Sequence, residues 1–218
     1  MTYRNRIARL AGGLVLAALL AGPATGRAQA QEPAAWALDG GDPDKYRIRL
    51  DRETPRSGAS SLRLEARGNR RDREWAVAVQ LLDATSFRGK TVRLSGWLRT
   101  EDVGSGHLWM RIDGIIDGEA ALIAIDNMEE RYLEHTRDWT SREIVLEVPP
   151  ESVTILYGVM ITGDGTVWAD DLALEEAPAG TEPTAETVNE VLGGLYDRPV
   201  GTLPAPLNLD FETETGAS

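Results

Sequence analysis

Two tryptophans beside charged residues form the clearest ligand-binding pattern in this sequence. In segments 91–100 (TVRLSGWLRT) and 107–113 (HLWMRID), apolar residues alternate with aromatic and charged ones, as on the two faces of a strand. We predict that the two segments are adjacent strands presenting one ligand face. Its residues are Trp97, Arg99, Trp109, Arg111 and Asp113. An indole ring can stack on the C–H bonds of a sugar while arginine and aspartate bind its hydroxyls.

Three further polar residues could extend this face. Gln80 lies in segment 74–83 between small residues, and Asp126 and Asn127 follow the apolar segment 120–125. The alternative is that the tryptophans pack under loops or serve as a protein-interaction surface, as bulky residues on a sheet face often do. The pattern alone does not separate these interpretations.

An acidic pair, Asp170 and Asp171, interrupts the last apolar segment of the sequence. The turn 163–165 (GDG) precedes it, and simple alternation through 166–176 places Trp168, Asp170, Leu172 and Leu174 on one face. A buried carboxylate needs a compensating partner because its desolvation is costly. The pair is therefore expected to bind either a cation or the backbone amides of a turn.

Patterns typical of catalysis are absent from the sequence. There are two histidines and no cysteine, and there is no HExxH, no G-x-S-x-G and no phosphate-binding glycine loop. Among 35 acidic residues, a pair of carboxylates says little about a glycosidase. We therefore predict a binding protein rather than an enzyme.

The first 30 residues have the pattern of a cleaved signal peptide. A basic start is followed by the short apolar segment 10–21 and the small-x-small sequence 28–30 (AQA). The apolar segment is shorter than the roughly 20 residues that a membrane span needs, so we predict a mature chain that begins at Gln31, carries no span and is secreted or periplasmic. Residues 1–30 contain four arginines and no acid, so the formal charge changes from −12 to −16 on cleavage. Such acidity disfavours binding to nucleic acid.

From Trp36 onward the sequence consists of short alternating segments separated by turns. About nine such segments lie before residue 177 and none has a convincing helical period, which predicts an all-β antiparallel sandwich or jelly roll over residues 31–176. Residues 177–218 are predicted to be a linker and a mostly irregular tail with a short helix near 187–196. The tail is either a frayed end or the start of a second domain.

Four stretches resemble the jelly rolls of carbohydrate-binding modules in the galactose-binding-like group. They are 57–62 (SGASSL), 87–90 (FRGK), 94–103 (LSGWLRTEDV) and 167–176 (VWADDLALEE). The last two are most similar to an uncharacterised variant of this fold that occurs as an accessory domain beside bacterial peptidase, esterase or regulator domains. The resemblance covers roughly residues 36–176.

The resemblance also implies a structural calcium ion. In the broad family such an ion lies between the opening strand and the aspartate of the closing strand, which Asp170 matches best and Asp171 second. Asp39 or Asp51 would contribute from the N-terminal side. This sequence departs from the family's opening strand, where it has WALDGGD. In the alternative interpretation, Asp170 accepts hydrogen bonds from a turn.

Together these features predict an exported, non-catalytic binding module. Its expected ligand is a glycan, such as a cell-envelope polysaccharide, bound on the face with Trp97 and Trp109. The alternative is a structural or protein-interaction domain of a secreted peptidase- or esterase-type protein.

Overall fold

The computed structural model describes residues 31–68, 73–194 and 201–215, so the predicted signal peptide lies outside the described residues. Ten β-strands and two short 3₁₀ turns make up its regular structure. The strands are β1 (Ala37–Asp39), β2 (Tyr46–Asp51), β3 (Ser61–Ala66), β4 (Trp75–Asp83), β5 (Lys90–Ile116), β6 (Glu119–Asp126), β7 (Leu133–Val148), β8 (Ser152–Thr162), β9 (Thr166–Glu176) and β10 (Thr187–Val191). The described residues contain no α-helix, and the predicted all-β sandwich is confirmed.

The strands form two antiparallel groups that share β5. Its C-terminal half pairs with β8 and β6, which continue the first group as β1–β4–β8–β5–β6–β10. Its N-terminal half pairs with β9 and β7 in the second group, β2–β3–β9–β5–β7. We call these groups sheet I and sheet II. Residues Leu94 and Leu98 of one half and Leu108, Met110 and Ile112 of the other are fully buried in the same core.

The change of sheet within β5 occurs around Asp102–Gly106. The pairing register of β5 with β7 shifts here, and Asp102 has φ 54°, a value unfavourable for most side chains. A Cβ on Gly104 would come 2.9 Å from the carbonyl oxygen of Thr162, and one on Gly106 would come 2.8 Å from side chains of Thr100 and Val167. Glycine is therefore required where the strand passes between the two sheets.

A β-bulge in β9 reverses its alternation. The register of β9 against β5 shifts between the pairs Trp97–Asp170 and Ser95–Ala173, and Asp171 has φ 49°. The extra residue moves every later side chain to the other face. Val167 and Ala169 therefore face the core before the bulge, and Leu172 and Leu174 face it afterwards. The expectation that Leu172 and Leu174 share a face with Trp168 is wrong for this reason.

The C-terminal segment belongs to the same folded unit as the predicted sandwich. Thr187–Val191 is strand β10, paired with β6, so the short helix predicted near residues 187–196 is wrong over its described part. Further on, Phe211 is fully buried and its ring lies 5.2 Å from that of Trp36. The core thus includes residues well beyond the predicted boundary at 176.

Hydrogen bonds hold this segment at both ends. Leu203 exchanges backbone hydrogen bonds with β4, and the amide of Leu172 donates to the carbonyl of Leu209. Glu212 accepts from the amides of Ala59 and Ser60. The helical segments of the described residues are two short 3₁₀ turns, and neither is long and apolar enough to cross a membrane.

Candidate functional site

The outer surface of sheet I carries a continuous apolar cluster. Val77, Val79 and Leu156 are 3–5% exposed, although they lie outside the main core. Four partly exposed side chains pack against them: Trp75, Leu81, Trp109 and Met160. We call these seven residues the apolar face. Partly exposed apolar side chains that lie next to one another on an outer surface form a candidate binding site.

Gly158 leaves a gap in the middle of this face. It pairs with Val79 on one side and with Trp109 on the other, so the row across the three strands has no side chain at its centre. A Cβ at this position would come 1.9 Å from the carbonyl oxygen of Ala78. A side chain at this position would collide with the backbone of β4, so glycine is required here.

A charged pair borders the apolar face on β5. Nε of Arg111 donates to Oδ1 of Asp113 at 2.6 Å, and the two side chains are 10% and 13% exposed. Burial raises the pKa of Asp113, while the charge of Arg111 and its hydrogen bond act to lower it. The pair leaves further guanidinium donors and a second carboxylate oxygen for polar groups of a ligand.

Three residues near the edge of the face complete its polar surroundings. The rings of His107 and Tyr132 lie 6.3 Å apart, and Tyr132 is 40% exposed. Burial lowers the pKa of His107, which favours its neutral form. Asn127 follows Asp126, the residue that pairs with Met110, so it lies near the strand position of Trp109. Polar groups of both donor and acceptor type therefore surround an aromatic, apolar floor.

The structure separates the residues that the sequence analysis placed on one face. Trp97 and Trp109 lie in the same strand rather than in adjacent strands, because β5 runs without interruption from Lys90 to Ile116. Trp97 pairs with Ser141 and Asp170 in sheet II, whereas Trp109 pairs with Gly158 in sheet I. Trp109, Arg111, Asp113 and Asn127 therefore form one set, and Trp97 and Arg99 another.

Arginines stack on the tryptophans of sheet II. The guanidinium of Arg56 lies 3.8 Å from the centre of the Trp97 ring, and Arg63 and Arg99 lie 5.0 and 4.9 Å from the ring of Trp168. Nε1 of Trp168 donates to Asp51 at 2.7 Å. These contacts are cation–π interactions; two arginines contact the ring of Trp168, whereas one contacts that of Trp97.

Gln80 and Asp126 are buried and bound within the chain. Gln80 is 2% exposed; its side-chain oxygen accepts from Tyr157, and its nitrogen donates to the carbonyl of Leu207. Asp126 is 5% exposed and accepts from Met128, Arg131 and Thr184. Neither residue extends the ligand face in this structure, because both point to internal partners. The prediction that Gln80 and Asp126 extend the ligand face does not hold in this structure.

Asp170 anchors a loop through backbone amides. It is fully buried; Oδ2 accepts from the amides of Arg56 and Ser57 at 2.8 and 3.1 Å, and Oδ1 accepts from that of Asp171 at 2.8 Å. Burial raises its pKa, and the three amides oppose this effect. Asp171 binds the side chains of Arg56 and Ser57.

This arrangement fits a turn anchor better than a calcium ligand, because amide donors already face both carboxylate oxygens of Asp170. Asp39 accepts from its neighbour Gly40. Across residues 31–68, 73–194 and 201–215, no three acidic or histidine side chains come together as a metal site. Calcium at Asp170, Asp171 or Asp39 stays a prediction from the resemblance.

Comparison with known proteins gives one clear relative by sequence. No family model matches the chain. It is 34% identical over 180 residues to the uncharacterized HTH-type transcriptional regulator YbfP of Bacillus subtilis (strain 168). The alignment covers 82% of this chain and 57% of that protein, so the chain spans little more than half the length of its curated relative.

Solved structures share the fold at low sequence identity. The enzymatically active domain of tailspike protein 4 from bacteriophage CBA120 aligns with a TM-score of 0.50 and 13% identity, over 67% of this chain and 20% of that one. This likeness concerns the fold alone. The CBM22-1 xylan-binding domain of Paenibacillus barcinonensis Xyn10C scores 0.48 at 13% identity over 69% and 90% of the two chains. TmCBM61 in complex with β-1,4-galactotriose scores 0.43 at 14% identity over 67% and 92%.

The sequence analysis identified only Trp109 among the seven residues of the apolar face. Trp75 starts its strand and resembles a residue that packs at the end of a sandwich, and Met160 lies in an almost wholly apolar segment. One signal was available for β4, where Trp75, Val77, Val79 and Leu81 share one parity and Ala76, Ala78 and Gln80 the other. Large apolar residues on one parity and the apolar residues Ala76, Ala78 and Leu82 on the other leave only Gln80 polar, which indicates that both faces of this strand are buried or bind a ligand.

Proposed function

We propose that this chain is an exported, non-catalytic carbohydrate-binding module whose ligand site is the apolar face of sheet I. The observation that carries the proposal is a partly exposed Trp109 on an aliphatic floor, with the Arg111–Asp113 pair next to it on the same strand. A sugar ring has apolar C–H faces and a polar rim, so it needs both kinds of contact at neighbouring positions. The resemblance of residues 36–176 to carbohydrate-binding modules agrees with this assignment.

In the proposed complex, the ring of Trp109 stacks on one sugar. Trp75 lies on the same apolar face and is partly exposed, so it provides a second aromatic position for a longer glycan. The free donors of Arg111 and the second oxygen of Asp113 bind hydroxyl groups. Because Arg111 and Asp113 already neutralise each other, the site suits an uncharged saccharide.

The first experiment is a glycan-array screen of purified residues 31–218, with and without calcium. Any glycan that binds is then titrated against Trp109→Ala. Residues at the centre of a binding site typically contribute 2 kcal/mol or more, so we expect affinity to fall roughly 30-fold. Trp139→Ala is the matched control, because Trp139 is also partly exposed but lies on β7.

Unchanged affinity in folded Trp109→Ala would contradict the proposal. So would a folded protein that binds no glycan on the array. That second result would favour a protein-interaction domain, for which the extent of the apolar face is the supporting observation. The similarity to a regulator is consistent with an accessory domain in either case.

A further inference from the structure

A groove on the outer surface of sheet II has a different chemistry from the apolar face. It has a volume of about 760 Å³, which is within the range of small-molecule sites. Its lining residues are Arg93, Ser95 and Trp97 of β5, Ser141, Arg142 and Glu143 of the adjacent strand β7, and Met128, Arg131 and Asp171. We call it the basic groove. Its position on sheet II separates it from the site of the proposed function.

Most charges that line the basic groove have an ionic partner. Arg93 pairs with Glu175 at 2.5 Å, and Arg131 pairs with Asp126 at 2.5 Å. Asp171 pairs with Arg56. The six residues of these three pairs carry no net formal charge.

Arg142 is different, because its described contacts are to carbonyl groups. Nε donates to the carbonyl of Arg131 at 3.0 Å, and Nη1 donates to that of Ser141 at 2.9 Å. Within the described ranges no carboxylate lies at ion-pair distance from Arg142. Burial lowers its pKa, and the neighbouring charge of Arg131 lowers it further. An anion in the groove would relieve both effects.

The remaining wall of the groove suits a sugar ring. Trp97 is partly exposed, and Arg56 holds it in place from one side. Ser95, Ser141 and Glu143 provide hydroxyl and carboxylate groups for hydrogen bonds to sugar hydroxyls. A ligand with one negative charge would match the single unpaired cation, whereas a strongly charged anion would be repelled by Glu143 and Asp171.

We propose that the basic groove binds a uronic acid unit of an anionic glycan, with its carboxylate on Arg142. The sugar ring lies against Trp97, and its hydroxyls contact Ser95, Ser141 and Glu143. This site is independent of the proposed neutral-glycan site, since the two share no residue. The chain would then recognise polysaccharides that contain both neutral and acidic sugars.

The test compares methyl galactosiduronic acid, which carries one negative charge, with its methyl ester by calorimetric titration of residues 31–218 at low ionic strength. The ester keeps the shape and removes the charge. We expect the acid to bind at least roughly 10-fold more tightly, because a charge-assisted hydrogen bond typically contributes that much. Added salt should weaken binding of the acid and leave binding of the ester unchanged.

Three variants locate the site. Arg142→Gln should reduce affinity for the acid at least roughly 10-fold, and Arg142→Lys should retain part of it. Arg137→Gln removes the same charge at an exposed position of the same strand and should have no effect. Thermal melting of each variant establishes that it is folded.

Equal affinity for acid and ester, equal affinity of Arg142→Gln and the unaltered chain, or no binding of the acid would each overturn the proposal. If oligoglutamate bound and the uronic acid did not, the proposal would also be overturned, in favour of an acidic peptide. Trp109→Ala separates the two sites, because it should leave binding of the acid intact while a neutral glycan is lost.

Discussion

The outer surfaces of the two sheets use tryptophan in opposite ways. On sheet I, Trp109 lies on aliphatic side chains and keeps part of its ring exposed. On sheet II, Trp168 is 3% exposed, stacks between two arginines and donates its indole N–H to Asp51. The same residue type therefore keeps part of its ring exposed in one place and is a buried structural element in the other. The residues beside it on adjacent strands determine which of these two roles the tryptophan has.

Glu65 is the centre of the charged surface around Trp168. It is 5% exposed and accepts from Arg47, Arg49 and Arg63, the last two at 3.0 and 2.5 Å. Burial acts to raise its pKa, but the three arginines outweigh burial and lower it. No comparable group of charges lies on the apolar face among its described residues, where Arg111 and Asp113 form a single pair at the border.

The largest difference between the two surfaces should appear in stability. Glu65→Ala leaves three arginines without their shared carboxylate, and we expect a loss of about 2–3 kcal/mol in the free energy of unfolding. Trp109→Ala removes a partly exposed ring and should cost about 1 kcal/mol or less. Urea unfolding of both variants checks this difference. Equal losses would mean that the apolar face is part of the stabilising core.

A fall in pH should change the stability contributions of Glu65 on sheet II and Asp113 on sheet I in opposite directions. Since the folded-state pKa of Glu65 lies below its ordinary value of 4.5, its contribution is complete above that value and is lost as pH falls through the lowered pKa. The pKa of Asp113 lies above its ordinary value of 3.8, so its protonation on acidification favours the folded state. Glu65→Gln should flatten the loss of stability in acid, and Asp113→Asn should make it steeper.

Unfolding in urea measured between pH 7 and pH 3 tests this expectation, with the unaltered chain as the reference. Identical pH profiles for both variants would contradict the opposite assignments. A steeper profile for Glu65→Gln would show that the arginines do not hold its carboxylate ionised.

The smallest expected effect is the change in melting temperature when a chelator removes metal ions. The resemblance predicts that a chelator lowers the melting temperature and that Asp170→Ala removes this response. The amide contacts of Asp170 favour a response close to zero. Asp171→Ala is a useful control, because it removes a carboxylate that binds only side chains of the loop. A clear chelator effect that Asp170→Ala abolishes would establish the ion.

Alternation was sufficient to predict most strands and the outward direction of Trp109, Arg111 and Asp113. It failed where the backbone departs from regular geometry. The bulge at Asp170–Asp171 reverses the faces of β9, and β5 continues through Gly104 and Gly106 where turn residues indicated a strand end. A one-residue insertion or a strand that crosses between sheets leaves no period in the sequence.

The ligand face was only partly predictable for a related reason. The choice of Trp109 with Arg111 and Asp113 depends on positions within seven residues of one strand, which alternation determines. The separation of Trp97 from Trp109, and the burial of Gln80 against Leu207, depend on pairings between distant segments. Such contacts are set by the tertiary fold and have no local signature.

The position of Phe211 has a consequence for the order of events in folding. Its neighbour Trp36 lies 175 residues earlier, and residues 32–34 and 213–215 are joined by backbone hydrogen bonds. Contacts over such separations form late and slow the reaction. During synthesis the sandwich therefore keeps an opening in its core until residue 211 has been added. Because residues 32 and 215 are adjacent, a chain joined there and opened at the turn 117–118 should remain able to fold, and it would fill that opening in a different order.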